Sequence, residues 1–408
     1  MKKIELLSPA GDLERLKIAV MYGADAVYIG GKKFSLRSRA SNFDIHDIAE
    51  GVKFAKQYGA HVHVTVNMLP HEEDLEGLEE YLKELENIGV TAIISASAHI
   101  IETCLRVAPK LEVHVSTQHS STNSSVIKFW NSIGVDRVVF ARECNLQEII
   151  ETTKQSVLPV EAFIHGGMCI SYSGRCTLSN HMTNRDANRG GCAQSCRWKY
   201  RLFDGDQPIY DETHLFSMSS KDMLAAKFIP QLIEAGVTSL KIEGRMKSAY
   251  YIATVVSTYR RLIDEYYEKG SISKKRLDYY ENEFSKAENR PTSVGFYEGI
   301  PSYEAQLYGI NGAGVTQEYI ASVIDFDEDT NVATWIVRNN FKPGILAEVF
   351  GPNMEPTQFI IGEIYDEEKV SLEVANKPML IITTRVPVKM KTNDMIRRII
   401  KKDRSKIY

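Results

Sequence analysis

A short apolar run followed by an amphipathic helical stretch recurs eight times between Ile4 and Tyr267. The strands are predicted at Ile4–Leu7, Ala26–Ile29, His61–Met68, Ala92–Ser95, Leu111–Gln118, Arg137–Ala141, Leu158–His165 and Ser239–Glu243. The helices are predicted at Leu13–Tyr22, Ile45–Tyr58, Glu72–Ile88, Ile100–Val107, Ser124–Ile133, Leu146–Lys154, Ala225–Ala235 and Ser248–Tyr267. Gly23, Gly59, Gly89, Gly134 and Gly236 stand just past helix ends, where a left-handed residue closes the last turn. Eight such units in about 270 residues have the size of a closed α/β barrel, the (β/α)8 TIM-like fold. A doubly wound open sheet is the alternative, because periodicity alone does not show closure.

The strands alternate in a second way. Val62, Val64 and Val66 interleave with His63, Thr65 and Asn67; Val113 and Val115 with His114, Ser116 and Gln118. Ala162 and Ile164 interleave with Glu161, Phe163 and His165; Leu240 and Ile242 with Lys241, Glu243 and Arg245. Helices cover the outside of such a barrel, so the apolar side faces out and the polar side faces the lumen. Charges there cost several kcal/mol unless paired. Either they form an internal salt-bridge network, or they serve a site. Barrel sites lie at the C-terminal ends of the strands, where Asn67, Gln118, Arg142, His165, Glu243 and Arg245 fall.

The stretch Cys169–Cys196 interrupts the pattern after strand seven. It has no strand or helix period, is rich in Gly, Ser, Asn and Arg, and holds Cys169, Cys176, Cys192 and Cys196. A loop this long needs a clamp, and four thiolates on a metal would supply one. Disulfides do not fit: the opening MKKIELLSPAG is no signal peptide and no segment is long enough to span a membrane, so a cytoplasmic, reducing setting is expected. Tetrahedral zinc suits four cysteines, although only the last pair is closely spaced. A 4Fe–4S cluster tolerates wider spacing. Spacing leaves both open. Arg185, Arg189, Arg197, Lys199 and Arg201 make the loop region basic, suited to phosphates, to a small dicarboxylate or to offsetting a thiolate-bound cluster. Cys144 reads as a buried residue or a spare ligand, and Cys104 as core; Arg37 and Arg39 as anion-binding or solvated.

The run from Glu161 through His165-Gly166-Gly167-Met168 to Cys169, followed by Gly174-Arg175-Cys176-Thr177-Leu178-Ser179, resembles the motif of peptidase family U32, the collagenase-like peptidases. Gly167 stands where Ser or Ala is usual, a small-for-small change. The resemblance runs from Leu6-Leu7-Ser8-Pro9-Ala10-Gly11 through Lys241–Arg245 and into the C-terminal part. Within the family the chain is most similar to prephenate-dependent tRNA uridine hydroxylases, which make 5-hydroxyuridine at the wobble position. That likeness implies tRNA and prephenate as partners, and a 4Fe–4S cluster on Cys169, Cys176, Cys192 and Cys196. It also implies an oligomer, with itself or with a paralogue, since some relatives work in pairs. On this reading Glu243 and Arg245 position substrate, Glu161 or His165 moves a proton, and Asn67, Gln118, Arg142, Arg185 and Arg197 bind substrate. Two other readings are a peptidase, as the family name states, and a zinc-stapled RNA-binding scaffold. The chain has neither His-Glu-x-x-His nor Gly-x-Ser-x-Gly.

With a net charge of −4, the whole molecule is no electrostatic magnet for nucleic acid, so an RNA site must be a local basic patch. Residues 1–270 are assigned to the barrel, with the cysteine loop at 166–200. Residues 271–302 are assigned to a helical connector and linker. Residues 303–408 read as a small C-terminal β-barrel domain, with strands at Tyr319–Ile324, Val332–Arg338, Leu346–Phe350, Gln358–Ile364, Val370–Val374 and Met379–Thr383. Arg397–Lys406 reads as a basic, frayed tail.

Overall fold

Eight parallel strands form a ring in the computed structural model, which describes residues 3–36, 42–210, 215–287, 290–307, 319–352 and 354–399. They are β1 (Glu5–Pro9), β2 (Ala26–Gly30), β3 (His61–Thr65), β4 (Ala92–Ser95), β5 (Glu112–Val115), β6 (Arg137–Val139), β7 (Val160–Gly166) and β8 (Ser239–Ile242). Leu240 of β8 lies opposite both Leu6 of β1 and Ala162 of β7, which closes the barrel. Arg37 and Arg39 lie outside the described residues.

The alternation sorts side chains as expected. Leu6, Val27, Ile29, Val62 and Val64 belong to the large core under the helices. Leu7, Ala26, Tyr28 and Ile94, one residue out of phase, form a separate small cluster inside the ring. Helix starts are held by capping side chains that accept from the amide three residues on, as Asp12, Asp44, Asn123 and Asn145 do. The third helix departs from expectation. It begins at Leu78, not Glu72, because Glu72–Asp74 forms a separate turn and Gly77 is left-handed. Glu73 and Asp74 are turned instead toward Arg189 of the cysteine loop.

The barrel floor is a buried ion network. Glu161 accepts from Lys241 Nζ at 2.6 Å and faces Arg137 at 3.1 Å, and Arg137 reaches Glu5 at 2.6 Å. The rings of His63 and His114 meet edge to face above it at 4.8 Å. Burial holds both imidazoles neutral, with His63 pushed down to about 3. Burial alone would raise Glu161, but Lys241 and Arg137 outweigh it and hold the carboxyl at about 2.

His165 corrects the expected lumen assignment. Between β7 and β8 the register slips: Lys241 opposes Phe163, and the next residue, Ile242, opposes His165. The extra residue in β7 is a bulge, and it turns His165 outward with Ile242. Its Nδ1 lies 3.3 Å from the Tyr259 hydroxyl, and its ring packs on Tyr251 and Phe284. It is 2% exposed, and burial keeps it neutral, with its pKa near 3.

Helix Ala249–Lys269 is buried on most of its faces, and helix Lys274–Ser285 seals Tyr280 and Phe284 into the same core. The C-terminal unit is an eight-stranded antiparallel sheet around its own core of Val323, Trp335, Val349, Phe359 and Ile382. Among the described residues its edge strands Thr357–Ile360 and Ser371–Leu372 pair on one side only, so the expected small β-barrel domain is a half-barrel. Part of the expected basic tail is structural. Met395–Arg398 is an internal strand of that sheet, and Arg397, 1% exposed, binds Glu283 and Glu348. The remainder of that tail lies outside the described residues.

Candidate functional site

A cavity of about 390 Å³ opens at the C-terminal end of the barrel strands. Its floor comes from strand ends and its roof from the cysteine loop. Tyr28, Phe163 and Ile94 supply an apolar base, and Lys241 Nζ stands 4.6 Å over the Tyr28 ring. Glu243 Oε2 meets Arg142 Nη2 at 3.1 Å and the Tyr28 hydroxyl at 3.4 Å. The Arg142 guanidinium lies 4.0 Å over the Phe163 ring. Asn67 donates to Gln118 Oε1 at 2.6 Å, and Ser116 donates to the same oxygen.

Arg245 enters by a close approach. Its guanidinium donates to Ser35 Oγ at 3.0 Å, Thr65 Oγ1 at 3.2 Å and Asn42 Oδ1 at 2.7 Å. A side chain on Gly30 would put its Cβ 1.8 Å from Arg245 Nη2. We therefore expect Gly30→Ala to leave the fold intact, because the obstacle is the mobile end of one side chain, while moving that guanidinium out of place. A shift of this size costs about a hundredfold in turnover when the displaced group positions substrate. Steady-state kinetics beside a thermal melt check this: unchanged turnover with an unchanged melt would show that Arg245 has no positioning role.

The roof is tied down by side chains. Ser173 donates through N and Oγ to Glu143, at 2.9 and 2.8 Å. Gly174 is left-handed, and any Cβ there would sit 2.0 Å from the Gln118 carbonyl oxygen, so the loop rests directly on the turn Thr117–His119 that follows β5. Asn188 Nδ2 donates to the Cys176 carbonyl at 3.0 Å. Two loop arginines are structural: Arg197, expected to bind substrate, and Arg189, one of the cations that make the loop basic. Arg189 binds Asp74 and Glu73, and Arg197 donates to Ser219 Oγ, Ser220 O and Met168 O. Neither lines the cavity. Arg185 does, and among the described residues its guanidinium has no ion-pair or hydrogen-bond partner.

Cys169, Cys176 and Cys192 line the same cavity. Desolvation pushes the Cys196 thiol up; Arg197 pulls it down, and Cys169, Cys192 and Cys176 all push it up again. The four thiols are thus within electrostatic reach of one another. The fit can be tested on spacing. Zinc–sulfur bonds of about 2.3 Å hold tetrahedral thiolates about 3.8 Å apart. Among the described residues no three of these sulfurs come within 4.8 Å of one another. Four cysteines gathered in one loop are a donor set that either a 4Fe–4S cluster or a zinc ion takes. Cys144 and Cys104 are buried core residues.

Of the residues picked out in the sequence, Asn67, Gln118, Arg142, Arg185, Glu243, Arg245 and three cysteines converge on this cavity. Glu161, His165 and Arg197 do not. Tyr28, Glu143 and Ser173 were not singled out. Glu143 directly follows Arg142 at a strand end, which is the signal that finds it.

The sequence pattern of Peptidase family U32 matches residues 11–307, and that of the Peptidase family U32 C-terminal domain matches residues 315–397. The chain is 49% identical over 405 residues to tRNA hydroxylation protein P1 of Bacillus subtilis, covering 97% of this chain and 95% of that one. It is 38% identical over 303 residues to a 23S rRNA 5-hydroxycytidine synthase of Escherichia coli, covering 74% of this chain and 45% of that one. It is also 29% identical over 402 residues to a protein named collagenase from Porphyromonas gingivalis, covering 95% of each. Among the described residues no helix is long and apolar enough to cross a membrane.

Proposed function

The chain belongs to peptidase family U32, and on that footing we propose that it is an RNA-hydroxylating enzyme that converts the wobble uridine of tRNA to 5-hydroxyuridine, with prephenate supplying the hydroxyl group. The observation that carries the reading is the composition of one cavity. Among the described residues that line it, Arg142, Arg185, Lys241 and Arg245 stand against Glu143 and Glu243, with Lys241 already answered by Glu161 in the floor, and three cysteines line it too. A small dicarboxylate answers the excess positive charge. The name of the Bacillus subtilis relative supports tRNA as the substrate, and the Escherichia coli relative supports hydroxylation at a pyrimidine ring.

Cys169, Cys176, Cys192 and Cys196 would hold a 4Fe–4S cluster. Bound there, such a cluster supplies a one-electron or Lewis-acidic centre. The protein's own groups do the rest. Arg185 has a charge to offer an incoming carboxylate. Arg142, flat on Phe163, orients Glu243, and Glu243 is the cavity carboxylate best placed to take up a proton, since Tyr28 and Arg142 fix its oxygen. His165 and Glu161 are withdrawn from that role by their packing. The wobble base lies in a loop, so extruding it into the cavity costs little.

A peptidase reading has the family name and the Porphyromonas gingivalis relative behind it. No histidine is among the described residues that line the cavity, so a cysteine or serine nucleophile there lacks an imidazole base. The test is the nucleoside profile of tRNA, by mass spectrometry, from cells lacking this protein and any paralogue. Loss of 5-hydroxyuridine and its derivatives is expected. An unchanged profile would sink the proposal.

A further inference from the structure

Two carboxamides and a hydroxyl stand together at one wall of the cavity, and their hydrogen bonds have a fixed direction. The backbone N–H of Leu36, which can only donate, donates to Asn67 Oδ1 at 3.3 Å. Asn67 must therefore offer its amino group on the other side, and Nδ2 donates to Gln118 Oε1 at 2.6 Å. A second run starts from another obligate donor. The backbone N–H of Gln118 donates to Ser116 Oγ at 3.4 Å, and Ser116 Oγ donates to Gln118 Oε1 at 3.1 Å. The oxygen and nitrogen of a carboxamide are told apart by their partners. Both runs end on the same atom, so Oε1 is the acceptor of two bonds and the amino group Nε2 is the other end.

That end is left for a ligand. Gln118 lines the cavity and is half-buried, and among the described residues its Nε2 has no hydrogen-bond partner. Its backbone is held still. Gln118 lies in the turn Thr117–His119, which Ser116 caps, and Gly174 of the cysteine loop rests on its carbonyl. Tying the ends of β3 and β5 together needs only Oε1; Nε2 is surplus to that tie. The result is a neutral group that donates and cannot accept. An amino group brought against it would set donor against donor, and an apolar atom would leave it unsatisfied. The partner it takes is an oxygen that only accepts, as in a ring carbonyl or a carboxylate.

Resting on the reading that this cavity takes the substrates, we propose that Gln118 is a specificity-determining residue that reads a carbonyl or carboxylate oxygen of the bound ligand through Nε2. Asn67 and Ser116 are positioning residues that set its direction. The two carboxamides, both expected from the sequence to bind substrate, thus divide the work. Gln118 meets the ligand, and Asn67 acts through Gln118.

The full-length protein, purified without oxygen, is titrated separately with prephenate and with a fluorescent RNA hairpin that carries the target uridine in its loop. Gln118→Met, neutral and of similar length, removes the donor and should weaken binding about 10- to 100-fold. Loss with the hairpin identifies a base carbonyl, and loss with prephenate a carboxylate. Gln118→Glu keeps both accepted bonds but puts an oxygen where Nε2 stood, and it should weaken the same probe. Asn67→Asp still accepts from Leu36, but its second oxygen calls for a donor, so the Gln118 amide turns over and shows its oxygen to the cavity. It should weaken that probe too, and add nothing in a Gln118→Met background. A loss that persists in that background would overturn the positioning role of Asn67. Circular dichroism and a thermal melt confirm that each variant is folded. If wild-type protein hydroxylates the hairpin and Gln118→Met binds both probes as tightly as wild type, the inference is refuted and the enzyme reading stands. The enzyme reading fails separately, on wild-type protein that leaves the hairpin unmodified.

Discussion

Glu161→Ala should destabilise the barrel by about 3–5 kcal/mol, because it strips Lys241 of its buried carboxylate and leaves Glu5 alone to answer Arg137. Lys241 is held at 2.6 Å and Arg137 at 3.1 Å by this one carboxylate, itself wholly buried. Urea unfolding gives the number. The same network predicts acid sensitivity with a definite sign. The carboxyls of Glu161 and Glu5 are depressed from an ordinary 4.5 to about 2. A depressed acid stabilises above its unfolded pKa and loses that contribution as pH falls through its folded one. The loss should therefore run from about pH 4.5 down to about pH 2. Buried neutral histidines extend it upward. His63 and His165 sit near 3, from an ordinary 6.5, so the unfolded chain takes up their protons first and stability starts to fall below about pH 6.5. Glu161→Gln should flatten the lower part of that curve only. A Glu161→Ala protein as stable as wild type would show that the floor network is not a structural element.

The second large effect belongs to the cysteines. If the four cysteines hold the proposed 4Fe–4S cluster, Cys176→Ala should lose the iron and with it all measurable RNA hydroxylation. Removing a ligand outright exceeds the roughly 10- to 100-fold that a lost supporting hydrogen bond costs a metal site. Cys176 is held from two sides, by Asn188 Nδ2 on its carbonyl and, two residues earlier, by Gly174 resting on Gln118 in the turn after β5. The fold should survive, since the loop is also anchored by Ser173 on Glu143 and by Arg189 on Asp74. Cys144→Ala is the matched control. It is as buried as a core residue and packs in the main cluster, so it should keep iron and activity and lose only modest stability. A Cys176→Ala protein that retains iron would remove this residue from the ligand set.

Much of this was legible in the residues. Eight strand–helix units, the outward valines and the strand-end positions of Asn67, Gln118, Arg142, Glu243 and Arg245 follow from period-two and helical patterns, which are local. What failed was not local. His165 obeys the alternation in sequence, and a one-residue bulge against β8 turns it out of the lumen; register between strands is invisible in one strand. Arg197 and Arg189 look like ligand-binding cations until their partners arrive from Ser219, Ser220 and Asp74. Arg397 looked like part of a frayed tail because its partners Glu283 and Glu348 lie far back in the chain. Charge tells that a side chain needs a partner, and only tertiary structure tells which one.

The most direct measurement is iron, acid-labile sulfide and zinc on protein purified without oxygen. The account predicts a brown protein with about four irons and four sulfides per chain, all lost together in the Cys176→Ala variant. A colourless protein carrying one zinc per chain would contradict it.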